Sequence, residues 1–277
     1  MEQYVLLCEN SIDGILTGVY EAYRLKKDEA LDSHDRIHLM VEEPMIPMLC
    51  TSYLTVVTDT DKAQKVIRTL QRELGNGNYY DLCLAMVSDG ENKADAVYHT
   101  IVTGLREHDR KIMERLGEDA IHQTFTYYRR AVRELNKWIE FLRFEELENG
   151  ILYAKIGTKS DILSFLMPHF ADRLPADNFI VYDETRGIFG LHPQYNQWYL
   201  VTDRNFDGSN LRFSQEETVY RELFTCFCEK IAITERINPE LQCNMLPLWM
   251  RKYMIEFDSN KLKRTKKRQY SVLFNEV

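Results

Sequence analysis

The longest regular pattern of apolar positions runs from Ile121 to Leu142. Ile121, Phe125, Tyr128, Val132, Leu135, Ile139 and Leu142 recur there at alternating intervals of four and three. That period predicts one long helix over 118–144 with a single buried seam. Before it, Val97, Ile101, Leu105, Ile112 and Leu116 share a face and predict a helix over 94–116, with Gly117 as the turn of a helical hairpin. The same seam could instead be used by a dimer.

Upstream the pattern is shorter in wavelength. Tyr4–Cys8 predicts a strand, followed by a helix that Ser11 or Asp13 starts and that buries Ile12, Ile15, Leu16, Val19 and Tyr23. Strands are predicted at Arg36–Leu39 and Thr51–Thr58, with EEPMIPMLC (42–50) as a connection. Asp59 or Thr60 caps a helix burying Ala63, Val66, Ile67, Leu70 and Leu74, and GNGNYYD (75–81) stops it.

Downstream of Asn149–Gly150, ILYAKI (151–156) predicts a strand and Ser160 a helix cap for Leu163, Leu166, Met167 and Phe170. FIVYDE (179–184), IFGLHP (188–193) and QWYLVTD (197–203) predict three strands, the first two joined by the hairpin turn ETRG. Ser214 and Glu217 form a capping box for a helix to about Ile233. Asn238–Pro239 starts a last helix, interrupted at Pro247 and reaching about Phe257. The class is therefore mixed α+β: a long central helical hairpin, a small mixed N-terminal lobe and a C-terminal region of strands and helices. The expected organisation is 1–90, 91–257 (or one continuous domain with 1–90) and a tail at 258–277.

The chain has 277 residues and a net charge of −8, but KLKRTKKR (261–268) holds six of the 35 basic residues and no acidic one. The remainder carries −14. A body that acidic does not coat a nucleic-acid backbone with its whole surface, so any phosphate contact must be local. No apolar run approaches about 18 residues, and the N-terminus lacks a basic n-region, so neither a membrane span nor a secretory signal is expected. Cys8, Cys50, Cys83, Cys226, Cys228 and Cys243 are scattered among apolar neighbours, as free thiols in a reducing cytoplasm would be. Only Cys226, Cys228 and Cys243 cluster. Cys-x-Cys on a helix points its sulfurs about 200° apart, and no histidine follows Cys243. His34 and His38 straddle a loop-to-strand join. No metal and no cofactor is expected.

Standard phosphate-loop, dinucleotide, nucleophile-elbow and zinc-protease motifs are missing. Three charged clusters interrupt apolar surroundings: FLRFEEL (141–147) with Arg143 and Glu145, HFADRLP (169–175) with His169, Asp172 and Arg173, and ITERINP (233–239) with Arg236 and Asn238. They read either as ion pairs, Arg143–Asp172 or Arg173–Glu145, or as an anion pocket in which His169, Asp172 or Glu145 moves a proton. Arg129, Arg133 and Lys137 lie at four-residue spacing on one helix face. They are either phosphate contacts or a solvated face paired with Glu134 or Glu140.

YVLLCENSIDGILTGVYEAY, FLRFEEL, ILYAKI…DIL…PHFADRLP, YDETR and ELFTCFCEKIAITERINPELQCNMLPLWMRKYMIEF, in that order, resemble a bacterial family described as probable DNA metabolism proteins. The resemblance covers roughly residues 3–257. It implies a domain found alone or joined to a uracil-DNA-glycosylase-like domain, and stand-alone members associated with a radical S-adenosylmethionine protein of DNA modification or repair. The family's recurrent positions fall on Asp13, Gly14, Arg143, Phe144, His169–Arg173 and Arg236–Pro239. Two departures stand out. LPLWMRKY (246–253) lacks part of the family's basic-aromatic run, and about twenty residues after 257 leave no room for a glycosylase domain. The cysteine triplet of a radical cluster is missing too, so that chemistry would belong to a partner.

The resulting expectation is a cytoplasmic accessory protein of DNA repair or modification that acts with a radical-SAM partner. Arg143, His169, Arg173, Arg236 and Asn238 would line an anion or nucleotide site, and Arg129, Arg133 and Lys137 would touch DNA. The alternatives are an enzyme acting on a nucleobase or nucleotide by His/Asp acid–base chemistry and a non-catalytic interaction scaffold.

Overall fold

Ser11 Oγ accepts the amide of Gly14 at 3.0 Å and so starts the first helix. A side chain at Gly14 would collide with the Glu9 carbonyl, which accounts for glycine at the tight entry. The computed structural model describes residues 3–231, 233 and 238–257, and its chain divides into two compact units, Met1–Glu134 with Lys159–Ile162 and Leu135–Thr158 with Leu163–Val277. Residue 90 lies inside the first of them, and the basic tail lies outside the described residues.

The first unit begins β1 (Gln3–Leu7), α1 (Ile12–Asp28), β2 (Ile37–Met40), β3 (Thr51–Thr55). The three strands form a parallel sheet in the order β2-β1-β3, with Leu6 opposite both Leu39 and Leu54. α1 covers this sheet through Ile15, Leu16, Val19 and Ala22. Tyr23, expected in that face, keeps 38% of its surface exposed, and the smaller Ala22 occupies the buried stripe. α2 (Thr60–Glu73) is capped by Asp59 Oδ1, which accepts the amides of Asp61 and Lys62 at 3.0 and 3.1 Å.

The sequence expectation fails at 75–87. Gly75, at φ 90°, ends α2, but the chain re-enters a helix at once, α3 (Asn76–Val87). Its second half, Leu82–Val87, is buried on every side. A helix apolar all round has no polar alternation to betray it. α4 (Lys93–Glu107) ends at left-handed His108, a turn of 3-10 helix spans Ile112–Glu114, and α5 (Asp119–Phe141) follows. The first hairpin helix thus stops nine residues before Leu116, which is exposed.

α5 exists as expected, but turned. Its buried line is Ile121, Thr124, Ala131, Leu135, Trp138 and Leu142, while Phe125, Val132 and Ile139 are only half-buried. Thr124 belongs to that line because its hydroxyl bonds Thr100 of α4 at 2.9 Å. Of the expected seam, Ile121, Leu135 and Leu142 are buried within the chain itself. Glu134 is also buried. Its two oxygens accept the amides of Lys159 and Ser160 at 2.6 and 3.0 Å, so it does not pair with Arg133 or Lys137.

The second unit carries β4 (Glu145–Glu146), β5 (Leu152–Ile156), α6 (Leu163–Arg173), β6 (Phe179–Asp183), β7 (Ile188–His192), β8 (Tyr199–Thr202), α7 (Gln215–Ile231) and α8 (Pro239–Met245). The sheet runs β4-β5-β6-β7-β8. β5 and β6 are parallel across α6 and the other pairs are antiparallel. ETRG makes the expected hairpin, with Gly187 at φ 66° and its amide on the Asp183 carbonyl at 2.9 Å.

Two capping expectations are modified. Ser160 does not cap α6; it is buried in the first unit, where its hydroxyl accepts the Asp89 amide at 3.3 Å. Ser214 Oγ does accept the Glu217 amide at 3.0 Å. The Glu217 carboxylate, however, turns away from the box to the Glu146 amide at 2.9 Å and to Arg221 Nε at 3.2 Å. A strand end and a cation therefore outcompete the local partner. Asn238 caps α8 as expected, but between Pro247 and Phe257 the described residues form two short 3-10 turns, Arg251–Tyr253 and Ile255–Phe257, and no continuing helix.

Candidate functional site

Strand alternation puts Tyr153 and Lys155 on one face of β5, and the register sets Tyr182 of β6 opposite Lys155 and Phe189 of β7. Tyr182 and Phe189 stack at 4.4 Å, and Phe206 meets both rings edge-on. On this aromatic floor lies a cleft of about 660 Å³. Its walls come from Glu145, the hairpin residue Glu184, the loop Phe206–Phe213, and Lys252, Tyr253, Met254 and Ile255.

Glu184 is the charged centre of the cleft. Lys155 Nζ approaches one carboxylate oxygen at 2.5 Å and Lys252 Nζ the other at 2.8 Å, while the Tyr253 hydroxyl donates to the same oxygen as Lys252. Partial burial works against the charge, but the bonds from Lys155, Lys252 and Tyr253 outweigh it and bring the carboxyl down to about 2. Burial first and then the Glu184 carboxylate push the Tyr253 phenol up to about 12. Tyr253 is backed by Trp138, whose ring it meets at 5.4 Å. A carboxylate that accepts from three donors and stays ionised far below neutral pH is a poor proton shuttle. The arrangement holds charge and aromatic surface in place, which suits binding.

The residue before Glu184 does a different job. Asp183 is fully buried, accepts the Thr158 hydroxyl at 2.7 Å and faces Arg186 Nη1 at 3.1 Å. YDETR thus splits by strand parity, with Asp183 into the core and Glu184 into the cleft.

Of the described residues expected to form a site, only Glu145 lines this cleft, and it is ion-paired with Arg221. Arg143 turns to Glu256 at 3.1 Å and lies over the Phe224 ring. Neither the Arg143–Asp172 nor the Arg173–Glu145 pair forms. Phe144 packs on Phe170 at 5.3 Å, which joins the FLRFEEL and HFADRLP segments through their aromatic rings and not their charges. His169 is half-buried against Phe170, and Asp172 and Arg173 are exposed at the end of α6. Asn238 is spent on its cap, with Oδ1 accepting the Leu241 amide at 3.0 Å. Arg236 lies outside the described residues. Arg129 and Arg133 are exposed on α5, Arg129 over Phe125, and Lys137 is half-buried. None of the three has an ion pair among the described residues. Glu184, Lys155, Lys252 and Tyr253 went unrecognised in the sequence. Only the odd–even alternation of YDETR at a strand end could have separated Glu184 from Asp183.

The cysteines are free, and Cys243 Sγ meets Arg251 at 3.7 Å. Among the described residues, the one group with metal-ligand chemistry is His38, Asp95 and His99 in the first unit. Burial opposes ionisation of Asp95, yet the two imidazoles hold its carboxyl well below the usual carboxylate range. No described helix is long and apolar enough to cross a membrane.

No curated protein matches the chain. Among solved structures, an uncharacterized protein from Helicobacter pylori G27 aligns at 10% identity over 83% of this chain and 100% of its own, with a TM-score of 0.21, too low to bear on the fold. The family defined as a domain of unknown function, DUF4130, matches residues 91–256. That is more than half of the chain, and the protein belongs to the DUF4130 family.

Proposed function

We propose that the protein is a non-catalytic accessory factor of DNA repair or modification that binds a nucleotide, or an unstacked base of single-stranded DNA, in the cleft around Glu184. The observation that carries this reading is the pairing of an aromatic floor (Tyr182, Phe206) with two lysines that stand exposed at its rim. Aromatic rings stack on a base face whatever its identity, and ammonium groups donate to phosphate oxygens. Glu184 and Glu145 offer acceptors for the amino group of a base. Arg129 and Arg133 supply additional phosphate contacts elsewhere on an otherwise acidic body.

Chemistry on the base would come from the radical-SAM partner that the family resemblance implies. What supports docking to a partner is the outer row of α7: Val219, Leu223, Phe227 and Ile231 repeat every four residues and are all more than half exposed. Contiguous exposed apolar surface of this kind marks interaction sites.

The test is binding of dAMP, dCMP and an oligo-dT strand to the full chain, measured across salt. The reading expects a negative salt slope and a loss of about tenfold or more with Lys252→Ala combined with Phe206→Ala. Absence of binding, or binding indifferent to those changes, removes the cleft from the proposal. Failure to co-purify with a cluster-bearing partner would remove the accessory role.

A further inference from the structure

Asp95 sits in the first turn of α4, His99 follows one turn later on the same face, and β2 presents His38 to both. His38 Nδ1 is 3.3 Å from each oxygen of Asp95, and His99 Nε2 is 3.5 Å from Oδ1. All three donor atoms lie within 4.8 Å of one another. A charged imidazole that bonds a carboxylate directly aims at one oxygen from about 2.7–2.9 Å. Here His38 is equidistant from two oxygens and every separation is longer. Ligands held about 2.0–2.1 Å from a tetrahedral ion stand about 3.3–3.4 Å apart, close to the two His–Asp separations.

The surroundings also suit an ion. The Leu39 amide donates to Asp95 Oδ1 at 3.1 Å and fixes the carboxylate from behind, as supporting hydrogen bonds do at metal sites. The three side chains keep between 21% and 30% of their surface, so the cluster opens to solvent on one side. Its neighbour His34 is already committed to the Tyr98 hydroxyl at 2.5 Å and does not complete the set.

We propose that His38 Nδ1, His99 Nε2 and one oxygen of Asp95 bind a single divalent transition-metal ion of the zinc type, leaving one coordination position for water or a ligand. Two nitrogens and one carboxylate suit such an ion. Magnesium and calcium prefer all-oxygen shells. Three protein ligands with an open fourth place are the arrangement of reactive rather than purely structural zinc. The rival is a hydrogen-bonded His–Asp–His cluster that pins β2 to α4 without any ion.

The experiment is titration of the chelator-stripped full chain with Co²⁺, followed by visible absorption and by metal content per chain, and then displacement with Zn²⁺. One equivalent with a tetrahedral ligand-field band and no thiolate charge-transfer band is expected. His99→Gln and Asp95→Asn should each weaken binding at least tenfold, with circular dichroism in chelator confirming that each variant is folded. A wild-type chain that takes up no stoichiometric metal overturns the proposal. So does a thiolate band, which would assign the ion to cysteine, and so do folded variants that bind as wild type does.

Discussion

Arg186 Nη1 reaches both Asp183 Oδ2, at 3.1 Å, and the Thr158 hydroxyl, at 2.7 Å, and thereby ties the β6–β7 turn to the end of β5. Asp183 has no exposed surface, so its charge depends on these partners. Arg186→Ala should therefore destabilise the second unit by about 3 kcal/mol, the cost of a buried charge left uncompensated. Urea denaturation would read it directly. Thr185→Ala, one residue away, removes no partner of Asp183 because it bonds through its backbone amide. Its effect should stay within about 0.5 kcal/mol.

Glu184 gives the cleft an acid-side signature. Its carboxyl falls from an ordinary 4.5 to about 2 in the folded protein. A group with a depressed folded value stabilises fully above its unfolded value and loses that contribution as pH falls through the folded one. Wild type should accordingly lose stability between about pH 5 and pH 2 more steeply than Glu184→Gln. Parallel melting curves for the two proteins over that window would refute the cluster of donors.

Trp138 reports on the rotated face of α5. It is fully buried, whereas Ile139 is half-buried. Trp138→Ala should cost about 3–5 kcal/mol and loosen Tyr253, which leans on it. Ile139→Ala should cost only about 1–2 kcal/mol. Equal losses at the two positions would place the buried line where the sequence period alone puts it.

Gly157 tests the cleft without touching its charges. A methyl there would overlap the Tyr253 hydroxyl, the far end of a movable side chain. Gly157→Ala should displace Tyr253 from Glu184 and weaken nucleotide binding several-fold while the protein stays folded. Unchanged affinity in a fluorescence titration would separate Tyr253 from ligand binding.

Ser214→Ala should cost about 1 kcal/mol through the lost cap on α7. Glu217 would keep its bonds to Glu146 and Arg221, because neither depends on the serine. A thermal melt suffices.

The sequence made most elements legible and most pairings illegible. Strands β1, β2, β5, β6 and β7 follow from alternation, and the caps at Ser11, Asp59 and Asn238 follow from local chemistry that needs no distant partner. α3 escaped because burial on all sides erases the period. The expected face of α5 is off by one residue because the two interleaved series share Ile121, Leu135 and Leu142. Only the polar contact of Thr124 with Thr100 and the bulk of Trp138 choose between them. The charged clusters stand out in the sequence, but the partners of two of their members, Glu256 for Arg143 and Arg221 for Glu145, lie 113 and 76 residues away. No local rule reaches that far. The His38–Asp95–His99 group left half a trace, the Asp-x-x-x-His spacing on α4, and its third member sits on a strand.

The return of Lys159–Ile162 to the first unit has a consequence for the order in which the protein can be made. Glu134 is buried against amides that are not synthesised until twenty-five residues later. The N-terminal unit therefore cannot finish folding on the ribosome before a whole excursion of chain, 135–158, has been produced on behalf of the other unit. Neither half is a continuous piece of the gene product. The homologous stretch that begins at residue 91 opens partway through a unit that already needs the preceding ninety residues. The family match and the compact units therefore divide the chain at different places.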